Sequence, residues 1–270
     1  MSMLSFRDAE HSGWTTRADS YADFATVTGQ AIPFILGTFD DLIGRMFLDV
    51  CCGPGHLAAA ASGEGATVEG VDFAPTMVAL ARRNHPGIPF READAECLPH
   101  INAGFDAVAC AFGLMHMQHP DRAISEAFRV LRSDGVFCFT QWAADDELLG
   151  IVGAAVTAHG DPAVAMPPAP PLMRFANPEE CQRALLAQGF TDLLVKRIEL
   201  VWQCARPEAV LDLIHGGAVR AAMLIDAQSS GDRERVQTAI VEAVRNRRTP
   251  EGRYLVRRPA LLARGRKPKA

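Results

Sequence analysis

The chain has 270 residues, of which 49% are hydrophobic, and a formal net charge of -5. That size and composition allow one large domain, or a domain with a cap, to bury a substantial core. The acidic balance argues against a nucleic-acid-binding surface as the main function, and no apolar run reaches the roughly 18 residues that would predict a membrane span.

The cysteines and the first residues bear on where the protein functions. Seven cysteines are an odd number, and most of them lie in apolar runs, which is typical of reduced, buried cysteines in a cytoplasmic protein. Cys51 and Cys52 have no second Cys or His pair at zinc spacing, so we expect no metal site. The first ten residues contain no apolar segment, so no signal peptide is expected.

The chain begins with a helical segment, residues 1–45. Trp14, Ala18 and Tyr21 recur at intervals of four and three, which places them on one helix face. This face either packs on the core or contacts a ligand.

From residue 46 onwards, short apolar runs alternate with helical patterns. The predicted strands are 46–50, 66–71, 88–93, 105–110 and 136–141, and the predicted helices are 55–62, 75–84 and 121–131. Such alternation indicates crossover units and a parallel sheet covered on both faces.

After Trp142 the pattern changes. The predicted elements there are a helix to Ala158, a Pro-rich loop over 161–171, a helix from Asn177 to Gln188, one long strand over Thr191–Cys204, two helical patterns within 207–247 and a last strand over Ala260–Arg264. A structureless loop as long as 161–171 is typical of a lid or cap. The predicted organisation is an N-terminal lid (1–45), a cofactor-binding core (46–142), a cap segment (143–176), and a completion of the sheet with inserted helices (177–270).

Three acids fall at the carboxyl ends of predicted strands: Asp49, Asp72 and Asp94. Ligands of open parallel sheets bind beyond the carboxyl ends of the strands. The spacing Gly53-x-Gly55-x-x-Ala58, with Asp72 nineteen residues after Gly53, satisfies the dinucleotide fingerprint. This motif alone fits either a nicotinamide cofactor or S-adenosylmethionine.

Charge favours the second cofactor. The carboxylate of Asp49 would repel a pyrophosphate bound at the following helix N-terminus. The ammonium and sulfonium groups of S-adenosylmethionine are positive, and the same carboxylate would attract them. Asp94 suits the exocyclic amine of an adenine.

Several stretches between residues 10 and 142 resemble, in the right order, motifs of the class I S-adenosylmethionine-dependent methyltransferases, in particular their small-molecule branch. The stretches are Leu48–Gly55, Gly70–Phe73 with Met77, Glu92–Pro99, Phe105–Leu114 and Arg129–Gly135. Cys51 departs from the pattern, because the family most often has glycine there.

The resemblance implies a Rossmann-like, doubly wound α/β fold. Its sheet has seven strands, mostly parallel with the last strand antiparallel, and a helical cap or lid accompanies it. The implied cofactor is S-adenosyl-L-methionine, and the implied binding residues are Tyr21, Asp49, Cys51, Gly53, Gly55, Asp72, Phe73, Met77, Asp94, Ala95 and Phe112. Among these, Asp72 would hold the ribose hydroxyls, Phe73 and Met77 would flank the adenine, and Tyr21 would lie near the sulfonium.

His116, just past the fourth strand, is the best-placed candidate for a general base. It is needed only if the methyl acceptor must lose a proton, and the other interpretation is a histidine bonded to the backbone at the sheet edge. Apolar residues in the lid, in 143–176 and in 207–230 predict a small, largely hydrophobic acceptor, unless they only pack the cap together. The polar pair that follows Phe112-Gly113-Leu114 in quinone-methylating relatives is missing, which argues against a quinone enzyme.

The sequence thus predicts methyl transfer from S-adenosylmethionine to a small molecule, with O-, N- and C-methylation undecided. Two other functions stay open: an NAD(P)-dependent oxidoreductase, and an inactive regulatory protein that binds S-adenosylmethionine. We expect no nucleic-acid or membrane partner, and a homodimer stays open.

Overall fold

A computed structural model describes residues 4–269 of the chain. Residues 1–3, which begin the segment in which no signal peptide is expected, lie outside the described residues. The strands are β1 (Met46–Val50), β2 (Thr67–Asp72), β3 (Phe90–Glu92), β4 (Phe105–Ala111), β5 (Leu131–Trp142), β6 (Thr191–Ile198), β7 (Val201–Cys204), β8 (Tyr254–Arg257) and β9 (Ala260–Arg266). The helices are α1 (Phe6–Thr15), α2 (Ala22–Thr28), α3 (Ile32–Leu36), α4 (His56–Gly63), α5 (Pro75–Asn84), α6 (Pro120–Val130), α7 (Glu147–His159), α8 (Pro178–Ala187), α9 (Ala209–Gly217), α10 (Val219–Asp226) and α11 (Ser230–Arg245).

Seven strands form one sheet in the order β3-β2-β1-β4-β5-β9-β6. The first five run parallel to their neighbours, and β9 runs antiparallel to both β5 and β6. The strand order reverses direction between β1 and β4, where an open α/β sheet binds its ligand. The predicted fold, a mostly parallel seven-stranded sheet with the last strand antiparallel, is confirmed.

Contacts between Cα atoms divide the chain into two compact units. The first contains 4–27, 145–168 and 199–259, and the second contains 28–144, 169–198 and 260–269. The four segments predicted from the sequence stay a prediction, since this grouping follows contacts rather than chain order.

The second unit contains the seven-stranded sheet. The central strands are nearly continuous apolar runs, because both of their faces are covered. On one face, residues of β4 and β5 pack with the buried sides of α6 and α8 in a single apolar cluster that includes Phe139, Ile124 and Leu185, all at most 1% exposed. Asn177 caps α8 by accepting a hydrogen bond from the Glu179 amide at 2.8 Å.

The first unit is mainly helical and contains the two-stranded sheet β7–β8, which the sequence did not predict. The predicted strand Thr191–Cys204 is wrong as a single element. It breaks after Ile198 because its first part pairs with β9 and its second part with β8. The helical region 207–247 has three helices rather than two, since a break near Ala218 separates α9 from α10.

No helix among residues 4–269 combines the length and the apolar character that crossing a bilayer requires.

Candidate cofactor site

The site is built on the turn that joins β1 to α4. Cys51, Gly53 and Gly55 all have positive φ there, at 59°, 50° and 85°. A β-carbon at Gly55 would lie 2.8 Å from the Phe90 ring, whereas one at Gly53 would meet nothing within 4 Å. Gly55 is therefore required by packing and backbone conformation together, while Gly53 leaves open space beside the main chain.

Asp72, the last residue of β2, supports this turn. One of its carboxylate oxygens accepts a hydrogen bond from the Gly53 amide at 2.9 Å, and the other accepts one from the Ala74 amide at 2.9 Å. The side chain is 7% exposed, and burial raises its pKa although these hydrogen bonds oppose the rise. The structure thus brings together the ends of β1 and β2, as the fingerprint predicts.

Asp49 lies under the same turn and is 1% exposed. Its Oδ2 accepts a hydrogen bond from the Ala58 amide at 3.0 Å, in the first turn of α4. Burial raises the pKa of this carboxyl to about 8, with a further contribution from the nearby Asp72. A cation bound beside Asp49 would favour the ionised form.

The backbone conformation of Cys51 bears on its departure from the family pattern, which most often has glycine at this position. Its φ of 59° is the left-handed conformation that normally selects glycine. The residue packs closely against Gly113, because a β-carbon at Gly113 would lie 2.8 Å from both the Cβ and the Sγ of Cys51. Cys51 therefore keeps the left-handed backbone conformation, and its thiol side chain takes the place of the hydrogen atom that a glycine would have.

Phe112 follows β4 and also has a positive φ, of 56°. Its amide donates to Oγ1 of Thr140 on β5 at 3.1 Å, and its ring stacks on Trp142 with centroids 4.1 Å apart. Thr140, Trp142 and Gly113 are not among the site residues predicted from the sequence, since each is identified only by contacts between distant parts of the chain.

The other predicted adenine-side residues follow β2 and β3. Oδ1 of Asp94 accepts a hydrogen bond from the Glu96 amide at 2.9 Å, and the neighbouring Ala95 is 7% exposed. Phe73 is half-buried, whereas Met77 is 2% exposed on the inner side of α5. The contact of Met77 with a base stays a prediction, and its burial counts against that contact.

His116 lies in a short 3-10 turn, Leu114–His116, after β4 and is half-buried. Positive charge on His116 lowers the pKa of Asp72, which places the two side chains in the same electrostatic environment. His116 therefore lies near enough to Asp72 to affect its carboxyl electrostatically, and its role as a base stays a prediction.

Tyr21 belongs to the first unit, where its ring packs between Trp14 and Phe24 at centroid distances of 5.8 and 5.6 Å. Its predicted place near a sulfonium stays a prediction, as does the acceptor pocket. Among residues 4–269, no three His, Cys, Asp or Glu side chains are arranged to hold a metal ion.

The fold and the site define a class of protein in which a Rossmann-like sheet carries a glycine turn and two buried acids, Asp49 and Asp72, at its ligand-binding edge. Residues 48–139 match the methyltransferase domain family. A demethylmenaquinone methyltransferase of Thermus thermophilus is 40% identical over 97 residues, which are 34% of this chain and 44% of that protein. One of Deinococcus radiodurans is 30% identical over 165 residues, which are 54% of this chain and 68% of that protein.

Among solved structures, phosphoethanolamine N-methyltransferase 2 of Haemonchus contortus, in complex with S-adenosyl-L-methionine, superposes with a TM-score of 0.62 at 18% identity. The superposition covers 99% of this chain and 61% of that one, and at this identity it supports the fold. The chain belongs to the class I S-adenosylmethionine-dependent methyltransferases. The alignment of this chain with the Thermus relative covers less than half of that relative's length.

Proposed function

We propose that the protein transfers a methyl group from S-adenosylmethionine to a small, largely apolar acceptor. The observation that carries the proposal is the buried carboxyl of Asp49 directly beneath the glycine turn, with its pKa raised to about 8. The ionised form of such a buried acid is stabilised by a cationic ligand and destabilised by a pyrophosphate.

The residues present fit the cofactor. Asp49 would hold the methionine ammonium, Asp72 the ribose hydroxyls and Asp94 the adenine amine, with Phe73 beside the base. The open space at Gly53 would let the ligand lie against the main chain. S-adenosylmethionine supplies an electrophilic methyl group on sulfur, and the protein contributes mainly alignment of the acceptor for in-line displacement.

His116 would remove a proton only from an acceptor that must lose one. We expect His116→Gln to lower kcat by about 10²-fold or more on such an acceptor, because that is the range that general-base catalysis contributes. The affinity for S-adenosylhomocysteine should change much less. His119→Gln is the matched control, since His119 is exposed at the start of α6. Equal turnover of both variants would return His116 to a structural role.

The two relatives are named for a quinone substrate, but the polar pair expected after Phe112-Gly113-Leu114 is missing from this chain. The acceptor panel should therefore include a reduced naphthoquinone beside phenols, amines and other apolar molecules. Formation of S-adenosylhomocysteine that depends on an added acceptor would support the proposal. Cofactor binding without methylation of any acceptor would favour the regulatory alternative, and binding of NADH in place of the sulfur compounds would favour the oxidoreductase.

A further inference from the structure

Two thiols meet behind the cofactor turn. Cys51 lies in the turn after β1, Cys110 lies in β4, and their side chains are neighbours. A β-carbon at Gly113 would lie 2.6 Å from Sγ of Cys110 and 2.8 Å from Sγ of Cys51, so both sulfur atoms border the same point.

The strand register brings the two backbones close to each other. Asp49 pairs with Ala109 across β1 and β4, so Cys110 is opposite Val50, and Cys51 is the next residue after Val50. Neighbouring strands lie about 4.8 Å apart. Disulfides join Cα atoms at roughly 4.4–6.8 Å.

The two thiols differ from each other in solvent accessibility, and they do not form a metal site. Cys51 is half-buried, whereas Cys110 is 2% exposed. The neighbouring Cys110 and burial raise the pKa of the Cys51 thiol, so this thiol oxidises more slowly than an exposed thiolate. No third ligand completes a metal site with them in the part of the chain that the structure describes.

We propose that Cys51 and Cys110 form a reversible disulfide, and that this cross-link weakens cofactor binding at the turn. The second half of the proposal rests on the proposed function. With hydrogen peroxide as the oxidant, the Cys51 thiol becomes a sulfenic acid and one water is released. The Cys110 sulfur then attacks that sulfur, which forms the S–S bond and releases a second water.

The cross-link acts on cofactor binding because it must move the turn. The sulfur atoms have to approach from a non-bonded separation to about 2.05 Å, while Cys51 already has a left-handed backbone and Gly113 leaves no spare space beside it. A shift of Cys51 carries with it Gly53, whose amide binds Asp72. We therefore expect the affinity for S-adenosylhomocysteine to fall by about tenfold or more, which corresponds to about 1.4 kcal/mol.

The test treats the full chain with hydrogen peroxide, maps disulfides by mass spectrometry of unreduced peptides, and measures S-adenosylhomocysteine binding before oxidation, after it, and after a dithiol reductant. The expected result is a Cys51–Cys110 peptide pair, weaker binding, and recovery on reduction. Cys110→Ala should keep its affinity after peroxide treatment. Cys51→Gly, which retains the left-handed backbone, should lose the peptide pair, and Cys97→Ser, at an exposed remote thiol, should still form it.

Absence of the Cys51–Cys110 peptide pair overturns the disulfide, and unchanged affinity in its presence overturns its effect on the cofactor. If the reduced protein does not bind S-adenosylhomocysteine, the proposed function fails and the effect on binding fails with it. The peptide map still decides whether the disulfide forms.

Discussion

The Asp72 carboxylate accepts a hydrogen bond from the amide of Gly53, and this bond joins the end of β2 to the glycine turn after β1. The same carboxylate binds the Ala74 amide through its other oxygen. An asparagine at position 72 would keep only one acceptor atom and would direct an NH₂ group at one of these two donors.

We therefore expect Asp72→Asn to weaken S-adenosylhomocysteine binding by about 1–3 kcal/mol, because it leaves a buried donor unpaired and loses a ribose partner. Isothermal titration calorimetry measures the change. Asp134→Asn is the matched control, since Asp134 lies in the exposed first part of β5 and asparagine tolerates its positive φ of 67°. Equal losses in both variants would remove Asp72 from the site.

The raised pKa of Asp49 predicts that cofactor binding releases a proton. Its pKa of about 8 in the free protein keeps it mostly protonated at pH 7. A bound ammonium lowers that pKa, so the ligand displaces about one proton at pH 7 and fewer above pH 9. Calorimetry in two buffers of different ionisation enthalpy gives the number of protons. Asp49→Asn should abolish the release, and a wild-type protein that releases none would contradict the assignment.

The close packing of Gly113 against Cys51 predicts that substitutions at these two positions have coupled effects on the free energy of unfolding. Gly113→Ala should cost about 1–3 kcal/mol of unfolding free energy, because the new β-carbon meets Cys51 and Cys110 at 2.6–2.8 Å. Adding Cys51→Gly removes two of the three close contacts and should restore part of the loss, as measured by urea unfolding in a double-mutant cycle. Gly153→Ala, in α7 with nothing within 4 Å, should instead stabilise by about 0.5–1 kcal/mol. Purely additive effects would show that Cys51 and Gly113 are not coupled.

The first unit contains a buried ion pair, Arg258 with Asp146, joined at 2.9 Å and at most 3% exposed. Arg258→Met should cost about 3–5 kcal/mol, because it leaves a buried carboxylate without its cation. Burial already raises the pKa of Asp146 against the opposing effect of Arg258. Losing that cation raises the pKa further, so the folded variant binds a proton and its stability falls as pH rises. Denaturant unfolding should therefore show a larger loss at pH 8 than at pH 5.

Arg257→Met is the control for this ion pair, since Arg257 is 68% exposed in its pair with Glu147. It should cost less than about 1 kcal/mol. Similar losses for the two arginines, or a loss at position 258 that does not depend on pH, would contradict the account.

The sequence was sufficient to predict the bounds of elements whose local pattern agrees with their burial. β1 and α5 have the predicted bounds, because an apolar run ending in an acid and a proline at a helix start are local signals. The break after Ile198 was not predictable, since it depends on two separate partners, β9 and β8, more than fifty residues away.

The same distinction holds in the site. The acids and glycines were identified from their spacing, and the structure brings Asp49, Gly53 and Asp72 together around the turn. The contact of Cys51 with Gly113 joins residues about sixty positions apart, and nothing in either segment indicates it. In the sequence, Cys51 is only a departure from the family pattern. In the structure, it is a thiol packed against residues of β4 and the segment after it.

Our central claim is that the glycine turn above Asp49 binds a sulfonium cofactor rather than a dinucleotide. Isothermal titration calorimetry of the reduced wild-type chain with S-adenosylmethionine, S-adenosylhomocysteine and NADH tests it most directly. We predict saturable binding of both sulfur compounds and no binding of NADH at the same concentrations. Binding of NADH with no heat from the sulfur compounds would contradict it.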